Sequence, residues 1–398
     1  MGLAGSPEAS SVELLLGPEG AAVLAAAERA AGPSLRVGEV LRREFPGDLV
    51  AAALAQLELR TRAAGKFADP SALLFTRAGL EQASTAAVAA HRARRFSPYG
   101  RVADLCTGIG GDLLALAGVG PRVLAVDRDP VHLLLAAHNA AAVGLGDRVE
   151  TWLGDVENAD LSGVLAAFVD PARRSDGRRL RSADGSPSLA WCAALADRIP
   201  VGVKAAPGID HAHVPSGWEL EFVAEDGDLK EAALWSPGLA TATRRATVID
   251  RSGVHTMIGT AAPPADVAEP GPYVLDPSPA VTRAGLVAEL AAELDAWQID
   301  PMIAFLCASA PTPTPYGRWL QVEASMPWNL RALATTLAAA DVGAVDLRRR
   351  GLAGDVEEIR KRLRLNGSRR VTVLMTRVGD KPWALVGTSP APAGPGSA

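Results

Sequence analysis

From about residue 100 the chain repeats one pattern: a short apolar run that stops on a polar or Gly/Pro signal, then a helical stretch, then another apolar run. The apolar runs are "RVADLCT", "RVLAVD", "AAFVDPA" and "VGVKAAPG". The stretches "GDLLALAGVG", "DPVHLLLAAHNAAAVG" and "SLAWCAALADRI" separate them at helical spacing. Strands that alternate with helices imply βαβ crossovers, and crossovers bury a parallel sheet on both faces. An aromatic-rich β-sandwich is a poor alternative, because aromatics make up only 5% of the residues. "WELEFVAEDGDLKEAALWSP" and "RRATVIDRSG" are expected to close the sheet as antiparallel strands.

The flanks read differently. Residues 12–95 are predicted helical, with "GLEQASTAAVAAHRARRF" as one helix carrying a basic end. "AAPPADVAEPGP" at 261–272 is a Pro-rich break. Beyond it come a helix ("AVTRAGLVAELAAELDAW"), an irregular Pro-rich stretch, a helix, a strand ("AVDLRRRG"), a helix ("DVEEIRKRLRL") and a strand pair. The expected domains are therefore an N-terminal helical region at 1–95, an α/β domain at 96–262 and a small α+β domain at 273–389.

The most informative segment is "ADLCTGIGGD". A strand ends near Asp104, and Gly108, Gly110 and Gly111 open a helix. Glycines there let the backbone turn tightly and approach a ligand at a helix N-terminus. The dinucleotide pattern GxGxxG would need glycine where Leu113 stands. Asp127 ends the next strand at the separation where Rossmann-like sheets place a ribose-binding carboxylate. Asp155, in "LGDV", ends the third strand, where a carboxylate can accept from an adenine amino group. Carboxylates at three successive strand ends suit a nucleoside with a cationic end and suit pyrophosphate poorly.

These residues resemble class I S-adenosylmethionine-dependent methyltransferases, on "DLCTGIGGD", "AVDRDP", "LGDV" and "FVDPARR" over about residues 100–260. The resemblance implies a Rossmann-like sheet with S-adenosyl-L-methionine as cofactor. It implies that Asp104, Gly108 and Gly110 face the methionine part, Asp127 the ribose and Asp155 the adenine. "KFADPSALLFTRAGLEQAS", "VKAAPGID", "LKEAALWSP" and "DLRRRGLAGDVEEIRKRLRLNG" further resemble the bacterial methyltransferases with a THUMP-like domain. THUMP domains bind structured RNA, so the resemblance implies an RNA substrate, a tRNA or rRNA base. A small-molecule or protein methyltransferase, and a non-catalytic cofactor-binding module, are the alternatives.

At the reacting end, amine methylases of the related pattern use an acid or amide and a proline carbonyl to accept amino hydrogens, with an aromatic stacked on the base. Asp170 and Pro171 fill the first role, but Ala172 and Arg173 follow, with no aromatic. Arg173 is expected to stack on a base or hold a phosphate. Cys192 is the cysteine nearest that strand end, but it lies on an apolar helix face, which argues against a cysteine nucleophile. Lys204, after the fifth strand, either lines the pocket or sits on the surface.

Net charge is −5, so nucleic-acid binding must come from local patches. Residues 172–182 hold five arginines and one aspartate, and residues 345–377 hold ten Lys/Arg against four Asp/Glu. "HRARRF" at 91–96 adds a third basic cluster. Cys106, Cys192 and Cys307 lie far apart and His211 and His213 lack acidic or cysteine companions at ligand spacing, so neither a disulfide framework nor a metal site is expected. The first residues lack a basic stretch before their apolar run, and no apolar run reaches roughly 18 residues. Both features, with the cysteine usage, set the expectation of a cytoplasmic protein without a membrane partner.

Overall fold

The computed structural model describes residues 7–30, 35–172, 174–175, 178–179 and 186–390. Two compact units divide the chain: Met1–Glu219 with Glu231–Thr241, and Leu220–Lys230 with Ala242–Ala398.

The first unit begins with helices α1 (Pro7–Leu15), α2 (Pro18–Arg29), α3 (Leu35–Leu41) and α4 (Gly47–Ala63). Next come α5 (Arg77–Gln82) and α6 (Ala86–Ala93). The single helix expected over 79–96 is two, because Thr85 caps the second by accepting the Val88 N–H. Residues 67–76 run without a helix, and Gln56 of α4 bonds both the N–H and the C=O of Phe75 there.

The alternation then appears as β1 (Arg101–Leu105), α7 (Gly111–Gly118), β2 (Arg122–Asp127), α8 (Pro130–Ala142), β3 (Val149–Leu153) and β4 (Ala166–Val169). A two-residue pair, β5 (Arg174–Ser175) with β6 (Arg178–Arg179), precedes α9 (Leu189–Ala196) and β7 (Val201–Ala205). β1, β2, β3, β4 and β7 pair in parallel, in the order β7-β4-β1-β2-β3. The apolar runs of β1, β4 and β7 are buried along nearly their whole length, as crossovers on both faces require. β8 (Glu219–Glu225) and β9 (Asp228–Trp235) follow, and β9 lies antiparallel to β7.

In the second unit β10 (Arg244–Asp250) pairs in parallel with β8, and β11 (Gly253–Ile258) antiparallel with β10. These strands group with the C-terminal segment, so the division between the units falls before the Pro-rich stretch. A second sheet contains β12 (Tyr273–Pro277), β13 (Trp297–Gln298), β14 (Leu306–Ala308), β15 (Gly317–Pro327), β16 (Val342–Arg349), β17 (Arg369–Val378) and β18 (Lys381–Thr388). Its order is β13-β14-β12-β15-β18-β17-β16. Helices α10 (Pro279–Ala284), α11 (Val287–Leu294), α12 (Leu330–Ala339) and α13 (Val356–Leu363) complete the unit. The long helix expected after residue 279 breaks at Gly285, whose φ of 68° ends α10 in the left-handed region. No helix among the described residues is long and apolar enough to cross a membrane.

Candidate active site

The C-terminal ends of β1, β2, β4 and β7 carry the chemistry of the first unit. After Leu105 the chain turns through three left-handed residues, Cys106 (φ 65°), Gly108 (φ 55°) and Gly110 (φ 91°), before α7 begins at Gly111. The two glycines do different jobs. A Cβ at Gly108 would meet nothing within 4 Å, so this position borders open space. A Cβ at Gly110 would lie 3.1 Å from Ala136 Cα, so this glycine admits the close approach of α8.

Asp104 is buried at the base of the turn. One oxygen accepts from the Thr107 hydroxyl, while Oδ1 is buried with no hydrogen-bond partner among the described residues. Burial, then the neighbouring carboxylates of Asp112, Asp170 and Asp127, push its carboxyl up to about 8 against the Thr107 bond. Such an oxygen lacks a donor, preferably a cationic one.

Asp127 is its opposite. Oδ2 accepts the Gly108 N–H at 2.8 Å and Oδ1 the Asp129 N–H at 2.9 Å, with His132 Nδ1 3.8 Å away. Burial opposes its charge, but His132 and the two N–H groups outweigh it and hold the carboxyl below the ordinary range. Asp127 therefore shapes the glycine turn as well as presenting a carboxylate. Asp155 is exposed and caps a short 3₁₀ turn by accepting the Glu157 N–H.

Asp170 leaves β4 with its N–H bonded to Leu105 O, which registers it beside the glycine turn. Its Oδ2 takes an ion pair from Lys204 Nζ at 2.7 Å. Lys204, one of the two places left open for it by the sequence, is 6% exposed at the end of β7. Pro171 is half-buried, and the Ala172 N–H bonds Ser186 O at 3.0 Å, closing the base of the loop that follows. Arg173 and the side chains of 173–185, including most of the basic segment 172–182, lie outside the described residues.

Two arginines of the basic cluster at 91–96 are held in ion pairs inside the unit rather than offered at the surface, and only Arg94 is exposed. Arg92 is 2% exposed and pairs with Glu231 on β9 and Asp112 on α7. Arg95 pairs with Glu219 at 2.7 Å and lies 4.4 Å over the Trp235 ring. Nothing in "HRARRF" itself signals this, since Glu231 and Glu219 are more than a hundred residues away in sequence from the arginines they pair with. Cys192 is buried, and burial first raises its thiol to about 12, which leaves it no nucleophile.

Three family models match: THUMP domain-like over 317–389, RNA cap guanine-N2 methyltransferase over 99–183, and a domain of unknown function over 8–63. Two sequences from Mycobacterium tuberculosis (strains CDC 1551 / Oshkosh and ATCC 25618 / H37Rv), each described as an uncharacterized S-adenosylmethionine-dependent methyltransferase, are 40% identical over 338 residues. That match covers 81% of this chain and 91% of each relative. The chain belongs to the S-adenosylmethionine-dependent methyltransferases, in the branch that carries a THUMP-like domain. A crystal structure named for a methyltransferase of Porphyromonas gingivalis W83 shares the fold of this methyltransferase, at 22% identity and a TM-score of 0.78 over 95% of this chain and 98% of that one.

The methyltransferase's own residues fit S-adenosyl-L-methionine. The open position at Gly108 leaves room for a ligand against the turn, and the unpartnered Asp104 oxygen wants a cation. An ammonium and a sulfonium are what that cofactor brings. Among the described residues no three His, Cys, Asp or Glu side chains group as metal ligands would.

Proposed function

We propose that this methyltransferase modifies a base in structured RNA, docking the RNA through its THUMP-like domain and presenting the acceptor atom to Asp170 and Pro171. One observation carries the substrate class. A groove of about 890 Å³ lies between α13, β16 and β17 and is lined by Arg360, Lys361, Arg364 and Arg370, with Asp346, paired to Arg348, as its one acidic lining residue. Among the described residues Lys361, Arg364 and Arg370 have no carboxylate within ion-pair distance, whereas Arg360 pairs with Glu357. Cations without counter-charges beside a groove suit a phosphate backbone, which releases its own counterions on binding. The groove falls inside the segment 273–389 that we assign as the docking module. The RNA cap guanine-N2 methyltransferase model, which matches around Asp104 to Asp170, supports the same class.

In the first unit we assign Asp104 to the ammonium, Gly108 to the backbone contact beside it, Gly110 to holding the turn, Asp127 to the ribose and Asp155 to the adenine. Bound there, the cofactor supplies a methyl group on a sulfonium, an electrophile that needs no activation by the protein. What remains for the protein is to orient the nucleophile, manage its hydrogens and exclude water. Asp170, with 27% of its side chain exposed, offers an acceptor oxygen; the Pro171 carbonyl offers a second. Arg173 is assigned to base stacking or a phosphate.

Labelled methyl transfer to total RNA from a strain lacking this gene tests the proposal. Label should enter the RNA and be lost after ribonuclease treatment; label that survives ribonuclease excludes RNA. Asp170→Ala should slow single-turnover transfer by about 10²- to 10⁴-fold, the usual worth of positioned proton management, with cofactor affinity unchanged.

A further inference from the structure

Lys204 needs an account that the sheet does not provide. It ends a buried parallel strand, is 6% exposed, and among the described residues makes one ion pair, to Asp170 Oδ2 at 2.7 Å. A buried ammonium is costly unless paired, and a leucine at this place would pack at no such cost. The charge balance around it is also unusual. Asp112, Asp127 and Asp170, from the start of α7 and the ends of β2 and β4, all act on Asp104 at the end of β1. Among the described residues Arg92 and Lys204 are the buried cations beside this group; Arg92 pairs with Asp112 and Glu231. Lys204 also acts on Asp112, but its ion pair goes to Asp170.

Its geometry adds direction to the charge. Lys204 takes Oδ2, and Oδ1 of Asp170 makes no hydrogen bond among the described residues while the side chain stays partly open. One oxygen is anchored and the other is presented. We propose that Lys204 is a positioning residue for methyl transfer: it fixes the Asp170 carboxylate by Oδ2 so that Oδ1 accepts the hydrogen of the atom to be methylated. The proposal rests on the assignment of Asp170 to the acceptor face. Lys204 touches neither cofactor nor acceptor; it acts through Asp170.

The test is a double-mutant cycle on single-turnover methyl transfer, using labelled cofactor and total RNA from a strain lacking the gene. Lys204→Met should slow transfer about 10- to 100-fold, with cofactor affinity within about twofold of wild type. Lys204→Arg, which keeps a cation near Oδ2, should recover part of the loss. Added to Asp170→Asn, Lys204→Met should cost less than about threefold more, because the group it orients is already altered. If Lys204→Met fails to fold, the Lys204→Met/Asp170→Asn double variant, which removes both charges, and Lys204→Arg still close the comparison. A wild-type rate for Lys204→Met beside a slow Asp170→Ala would overturn the positioning role alone. Full additivity of the two losses would overturn it too, by making Lys204 independent. A wild-type rate for Asp170→Ala would instead remove the acceptor assignment on which the proposal stands.

Discussion

"HRARRF" and "EEIRKRLRL" look alike as sequence, yet the fold uses them in opposite ways. Arg92 and Arg95 of the first are locked inside the first unit by Asp112, Glu219 and Glu231, with Trp235 under Arg95. Lys361 and Arg364 of the second face a groove with no carboxylate in ion-pair reach. Much of the wider basic segment is also spent on structure: Arg348 and Arg350 on Asp276, Arg369 on Glu323, Arg377 on Asp300. A basic run says what charge is available. Which charge is left over for a ligand depends on acids placed far away in sequence.

The largest effect should come from breaking the buried side of that contrast. Arg92→Met removes the ion-pair partner of Glu231 and Asp112, with 3% and 12% of their side chains exposed. Removing one partner of a buried ion pair typically costs about 3–5 kcal/mol, read by urea denaturation. A loss under about 1 kcal/mol would mean that the two acids relax to water and that the cluster is peripheral.

Asp104 sharpens the contrast for an unpaired acid. Its folded carboxyl holds a proton up to about pH 8, whereas an unfolded aspartate releases it near about 4. The folded form therefore binds more protons between those values, and this group's contribution makes stability fall as pH rises through the window, by at most about 1.4 kcal/mol per unit. Asp104→Asn should flatten that slope in melts taken from pH 5 to 8. If Asp104 meets the cofactor ammonium, binding at pH 7 should also release a proton, visible as buffer-dependent heat in titration calorimetry. A slope unchanged by Asp104→Asn would assign the titration to another group.

The smallest stability effect belongs to the open side. Lys361→Glu and Arg370→Glu should each shift stability by no more than about 0.5 kcal/mol. Their mark should be on RNA binding: each lost phosphate contact should flatten the log affinity against log salt by about 0.7 on a single strand. Unaltered salt dependence in both variants would remove the groove from the RNA footprint.

The parallel sheet was legible because buried strands write themselves as continuous apolar runs, and β1, β2, β4 and β7 fall where those runs stand. Asp104, Asp127 and Asp170 were legible as places, since each ends such a run. Their states were not. Asp104 with one oxygen lacking a donor, Asp127 holding one N–H on each oxygen and Asp170 tied to Lys204 differ only through neighbours that spacing does not reveal. β12 and β15 went unread for another reason. The eleven residues of β15, "GRWLQVEASMP", follow a Pro-rich stretch, contain one β-branched residue and alternate in burial over only part of their length. The role of Gly110 was read too simply, because packing against Ala136 and bordering a ligand ask for the same residue.

Asn139 of α8 joins parts of the first unit that sequence analysis kept apart. Its amide is fully buried, accepts the Leu74 N–H at 2.8 Å, and donates to both Leu74 O and Ile109 O at 3.0 Å. Leu74 belongs to the extended segment after α4, and Ile109 stands between the two glycines of the turn and packs into the core of the N-terminal helices. The glycine turn is thus clamped from behind by the segment that the first helices hold. Opening of the turn and breathing of that N-terminal region share one latch. The turn should open no more often than the helices beneath it loosen, so substitutions that loosen those helices should also shorten the dwell time of spent cofactor.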